Sequence, residues 1–276
     1  MIRLLKIEFQ KVWKNKASKV LSISYLFLLL FIALLSLVKY DFGAFKLDFA
    51  EVGIFNFPFI WHFNTYVASI LKFFLAIVIV SMMANEYSYG TLKQNLIDGM
   101  SKKEMILSKF AMILAFAFIS VLLIFVLSLI LGYRYSSFTE FSIVFTDIDY
   151  LLAYFVKLIG FFSFCLFLSV LIKKSAFALG FLLFWNIVEG IFYGILRYIN
   201  VEIANKIYRF FPLESMSELI FNPARRFGAI KTLEEQITKE ANLTDYNVNY
   251  IQIVIVLIWT FIFIYGSYAI LKKRDL

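Results

Sequence analysis

Ionisable side chains inside strongly apolar runs are the residues of this chain best placed to do chemistry. Glu189 lies within the apolar stretch 176–198, and Lys72 and Lys157 lie within two others. A charge at that depth costs several kcal/mol facing lipid, on the order of 3 on insertion-derived scales, so each should face protein or a watery path. Glu189 has three open roles: pairing with Lys72 or Lys157, lining a translocation path, or remaining protonated as a hydrogen-bond donor. Lys72 is placed near the outer end of its run, where its stem can snorkel to the headgroups. Next to Glu189, Gly190 and Gly194 form a small-xxx-small motif, which predicts a close helix–helix contact, within the chain or across a dimer. No catalytic set emerges from these residues. Three ionisable groups on three different runs do not converge, and Glu140, Asp147 and Asp149 have no histidine or glycine turn beside them and read as a solvated loop. His62 is the only histidine and Cys165 the only cysteine, which excludes a disulfide within the chain and a cysteine metal cluster. His62 is expected at the membrane interface. No metal site is expected.

A different chemistry occupies residues 84–109, A-N-E-Y-S-Y-G-T-L-K-Q-N-L-I-D-G-M-S-K-K-E-M-I-L-S-K. Thr91 with Gln94 reads as a capping box opening a short helix, with Leu92, Leu96 and Ile97 on one side. Asp98-Gly99 ends it, because glycine tolerates the left-handed conformation of a helix end. Ser101 with Glu104 is a second capping box, opening the next apolar helix. Helix end, short amphipathic helix and helix start therefore follow one another without a break. A structured loop with two caps would show the same pattern.

The elements that position these residues are membrane spans. The chain has 276 residues, 62% of them hydrophobic and 20% aromatic, with a mean hydropathy of +0.83. That is too apolar for a soluble domain and predicts an all-α polytopic membrane protein. Six spans are expected, at 20–38, 65–84, 105–132, 151–172, 176–198 and 250–271. Residues 2–16 place Ile2, Leu5, Phe9, Val12 and Trp13 at helical spacing, with Arg3, Lys6, Gln10, Lys11 and Lys14 largely off that face. This predicts an interfacial amphipathic helix. The segment 200–249 is the longest polar stretch, with short helices expected at Glu214–Phe221 and Thr232–Ala241 and no active-site motif.

With both termini inside, the cytoplasmic segments hold fifteen Lys and Arg against five acids, and the outer segments ten against thirteen. This asymmetry obeys the positive-inside rule. The net charge of +8 thus belongs to the membrane flanks and does not point to nucleic acid.

Glu86, followed after three residues by Gly90-Thr91-Leu92, then Ser101-Lys102-Lys103 and Lys109, resembles the cytoplasmic signature of ABC exporter permeases of the second type, the type V exporters. Where that family usually has proline and arginine around the second turn, Gly99-Met100 and Lys102-Lys103 stand here. The resemblance implies that 86–104 is a coupling helix docking on a separate ATPase, with Glu86, Gly90, Thr91, Leu92, Leu96, Lys102 and Lys103 as coupling residues. It implies two ATPase subunits holding the ATP and Mg, no cofactor on this chain, and a second permease copy or homologous permease. It also implies a bacterial cytoplasmic (inner) membrane location and an external gate within 200–249. The basic tail closing on Arg274-Asp275 is similar to the family's usual ending. The sequence has no G-x-x-x-x-G-K-[ST], so a P-loop would have to sit on the partner. A passive channel or a membrane assembly scaffold is the alternative, and an intramembrane hydrolase or transferase a further one. The cargo is not written in the sequence.

Overall fold

The computed structural model describes residues 2–35, 39–41, 46–48, 53–223 and 247–274. Two helices, α1 (Ile2–Lys14) and α2 (Lys16–Leu35), meet at Asn15, whose side chain accepts the Ser18 N–H at 3.0 Å. A small antiparallel ribbon follows, β1 (Lys39–Asp41) with β2 (Lys46–Asp48), pairing Tyr40 with Leu47. The remaining elements are α3 (Phe59–Ser88), α4 (Thr91–Ile97), α5 (Lys102–Tyr135), α6 (Phe141–Val144), α7 (Asp149–Ile172), α8 (Ser175–Ile199), α9 (Val201–Tyr208), α10 (Pro212–Ser217) and α11 (Tyr250–Lys273).

Among the described residues, five stretches are long and apolar enough to cross a membrane: α3, α5, the α6–α7 stretch Phe141–Ile172, α8 and α11. The protein is an all-α membrane protein with one short ribbon. Helices α3 and α5 run past the expected bounds 65–84 and 105–132 at both ends, to 30 and 34 residues. At 1.5 Å per residue both exceed a hydrocarbon core of about 30 Å, so their ends project beyond it.

The bundle is built around α7, where every side chain from Val156 to Leu166 is buried. It packs against α3, α5, α8 and α11. Helix α7 is closely approached at Gly160, where a Cβ would lie 2.7 Å from a Val256 methyl on α11. Gly132 of α5 likewise receives the Phe57 ring, which a Cβ would meet at 2.2 Å. Polar bonds between the helices accompany this packing. Tyr25 donates to Ser120 at 2.8 Å and shares a 3.1 Å bond with Tyr154, and Asn64 donates to Ser128 at 2.9 Å.

Three further expectations concern His62 and the segment between α8 and α11. His62, near the start of α3, is fully buried within the bundle, stacked on Tyr150 at 4.4 Å and bonded through Nε2 to the Phe221 carbonyl. The helix expected at Glu214–Phe221 begins earlier, at Pro212, because a proline at the first helical position has its φ already set. The one expected at Thr232–Ala241 lies outside the described residues.

Candidate functional site

Helix α4 is joined to α3 by only Tyr89 and Gly90. Gly90, at φ +68, is the N-cap, and Thr91 is already inside the helix. The Thr91–Gln94 capping box therefore does not form. A capping hydroxyl needs an extended backbone at its own residue, and a two-residue link turning through a left-handed glycine leaves no place for one. The C-terminus follows expectation. Gly99, at φ +93, donates its N–H to Leu96 and Met100 donates to Asn95, the paired bonds of a Schellman motif. Ser101 and Glu104 form the full capping box: the hydroxyl accepts the Glu104 N–H and the carboxylate accepts the Ser101 N–H at 2.9 Å.

Of the residues on α4, Leu92 is buried and Leu96 half-buried, so these two hold the helix against the bundle. The face left open presents Tyr89, Thr91, Lys93, Gln94 and Ile97, with Tyr89 75% and Ile97 72% exposed. Lys102 reaches across to the carboxy-terminal tail, donating to the Arg274 carbonyl at 2.8 Å, while Lys103 stays exposed. Arg274 in turn donates to the Val170 and Leu171 carbonyls and to the Tyr87 hydroxyl. A cation thus covers the free carbonyls at the end of α7, where the helix dipole is negative.

Glu86 sits one turn before this link and is buried in a cluster of four charges. Lys109 of α5 donates to both Glu86 and Glu8, and Lys11 donates to Glu86 at 2.7 Å and to Glu8 at 3.1 Å. Two carboxylates and two ammoniums alternate, and Glu8, Glu86 and Lys109 are each at most 4% exposed. Burial opposes the charge on Lys11, but the Glu86 and Glu8 carboxylates outweigh it and hold the ammonium above its usual range. A cavity of about 290 Å³ adjoins the cluster, lined by Glu86, Thr91 and Asn15 among others. Glu86 Oε2 is buried there with no hydrogen-bond partner among the described residues. Glu8 belongs to no motif in the sequence. Its signal is local: an acid in register with Leu5 and Val12 on the face of α1 that the bundle buries. Phe9 and Trp13 stack on each other along the adjoining, exposed flank.

Glu189 takes a role outside the three foreseen. Its carboxylate accepts the Trp185 indole N–H at 2.7 Å and the backbone N–H groups of Leu213 and Glu214, each at 3.1 Å. Those two amides open α10, whose N-cap residue, Phe211, has no side chain able to accept them. Glu189 supplies from α8 the cap that α10 lacks. Among the described residues it makes no ion pair with Lys72 or Lys157. Ala178, Leu182 and Glu189 are the buried residues of α8. Gly190 and Gly194 face outward, with nothing within 4 Å of a Cβ at either, so they make no close contact within the chain among the described residues.

Helices packed around a buried α7, with a short capped helix projecting between two long spans, define a polytopic α-helical membrane protein. Over residues 27–276 the chain matches the model of the family described as "Protein of unknown function (DUF2705)", and it belongs to that family. No curated protein matches it.

Proposed function

We propose that the chain is the membrane subunit of an ATP-driven ABC exporter, with α4 as the coupling helix that docks on a separate ATPase. In this reading α2 is the first of six spans, preceded by α1 lying along the cytoplasmic headgroups, and both termini face the cytoplasm of a bacterial inner membrane. Two copies, or one copy and a homologous permease, pair above two ATPase subunits that hold the ATP and Mg.

One observation carries the proposal. A seven-residue helix is capped at its C-terminus, held to the bundle by Leu92 and Leu96, and presents Tyr89 and Ile97 to solvent. A connector between two spans does not need an anchored helix with large apolar side chains left wet. The buried charges of Glu86 and Lys109 tie the base of that helix to α1 and α5. Force applied to α4 would then move these elements together rather than bend a loop. A passive channel or scaffold has no use for this arrangement.

The test is co-purification of the full chain with the ATPase encoded beside it. Ile97→Asp should release the ATPase while leaving the chain folded, because the side chain touches little of its own bundle. Retention of the ATPase by Ile97→Asp together with Tyr89→Asp would overturn the docking surface. Absence of any ATPase partner would overturn the exporter reading.

A further inference from the structure

A second cavity, of about 240 Å³, lies between α3, α7, α8 and α10, away from the cytoplasmic segment. Lys72 is one of its walls. It stands thirteen residues into the thirty-residue α3, near the middle of the helix and about 20 Å from its start. Its ammonium lies 4.3 Å from the centroid of the Phe161 ring and 5.8 Å from that of Phe73. Among the described residues it makes no hydrogen bond and no ion pair. Behind it, Lys157 of α7 is buried and also makes neither. The charges of Lys72 and of Glu214 on α10 both bear on Lys157, but Glu214 forms no ion pair with it. Two lysines thus stand at membrane depth without a carboxylate partner among the described residues, Lys72 against aromatic faces.

The shape of the opening narrows what could neutralise them. Phe73 and Leu183 border the cavity and are exposed on the flanks of α3 and α8, 45% and 61% respectively. Asn186 and Ser217 add polar groups to the same walls. A ligand entering by this route meets apolar side chains first and an ammonium with amide and hydroxyl partners inside. From these features we infer that the cavity binds the anionic head of a membrane-resident amphiphile, a phosphate or carboxylate on an acyl chain. It enters laterally between α3 and α8. The head takes the counter-charge position beside Lys72, and the chain lies along Phe73 and Leu183. The site is built by this chain alone and does not rest on the exporter reading.

Native mass spectrometry of the full chain, released from mixed micelles containing equal phosphatidylglycerol and phosphatidylcholine, tests this. Wild type should retain phosphatidylglycerol about tenfold over phosphatidylcholine, the size of one charge-assisted hydrogen bond. Lys72→Gln should abolish the preference and Lys72→Arg should keep it. Leu183→Trp, at an exposed position that leaves the core untouched, should block the entrance and lower retention of phosphatidylglycerol. Lys174→Gln, a surface lysine at the membrane flank, should leave the preference unchanged. An unaltered preference in both Lys72→Gln and Leu183→Trp would overturn the site. Loss of the preference in Lys174→Gln alone would assign it to surface charge and overturn it as well. Displacement of the lipid by millimolar inorganic phosphate would overturn lateral entry in favour of a soluble anion.

Discussion

Glu189 and Leu213 are 24 positions apart and joined by a single bond, the Leu213 backbone N–H donating to Glu189 Oε1 at 3.1 Å. Together with the neighbouring bond from Glu214, it makes a side chain of one span the cap of a separate short helix. Removing the carboxylate should therefore loosen α10 before it disturbs α8. Glu189→Ala leaves three N–H donors uncovered and should destabilise the chain by about 2 kcal/mol. Glu189→Gln keeps one acceptor and should lose about half of that. Thermal unfolding in detergent would read the cost, and faster proteolysis within residues 201–221 would place it. Equal stability of Ala and wild type would show that α10 does not depend on this cap.

Breaking the charge cluster of Glu8, Lys11, Glu86 and Lys109 should be costlier. Lys109→Met leaves Glu8 and Glu86 facing each other with only the half-exposed Lys11 between them. The loss should be about 3–5 kcal/mol, as for other buried pairs deprived of one partner. Glu8→Met combined with Lys109→Met should cost less than the sum of the two single changes, since each removes the reason for the other. Additive costs in chemical denaturation would show that the two charges do not interact.

The two glycine sites should separate cleanly. Gly160→Leu forces a side chain into the space of Val256 and should prevent α7 and α11 from packing, seen as loss of folded monomer. Gly190→Leu enters open space and should leave the monomer's unfolding midpoint unchanged to within about 0.5 kcal/mol. Any effect at Gly190 would then appear only in cross-linking between two copies. A folded Gly160→Leu variant of unchanged midpoint would contradict the close packing.

Acid should stabilise the segment that carries α10. Burial raises the carboxyls of Glu214 and Glu218 above the ordinary range, and Glu214 is raised further by the charge of Glu218. The folded chain holds protons that the unfolded chain releases. That contribution is complete below the ordinary carboxylate pKa, near 4, and is lost as pH rises through the folded values. Glu214→Gln should raise the midpoint relative to wild type at neutral pH, with the difference shrinking toward about pH 4. A difference independent of pH would rule out this titration as its source.

The features legible in the sequence are those set by neighbours a few residues apart. Uninterrupted apolar runs make α3, α5, α7, α8 and α11 membrane-length helices, because an unpaired backbone has no partner in hydrocarbon. Ser101 and Glu104 cap α5 because the bonds span only three residues, and Gly99 ends α4 because its own φ must be positive. Even at this range Thr91 misled. Its hydroxyl suits a cap, but the two-residue link from α3 placed a left-handed glycine there instead. What only the tertiary structure decided is which polar groups meet. Glu8 and Lys109 are 101 positions apart, and Lys11 and Glu86 are 75 apart. Nothing in a local pattern links them. The same holds for the face of α4 that Leu92 and Leu96 turn inward, for Gly132 and Gly160 as points of close packing, and for Glu189 as a cap. Inside an apolar bundle an ionisable group must find whatever donors or acceptors the packing brings to it, and that choice belongs to the fold.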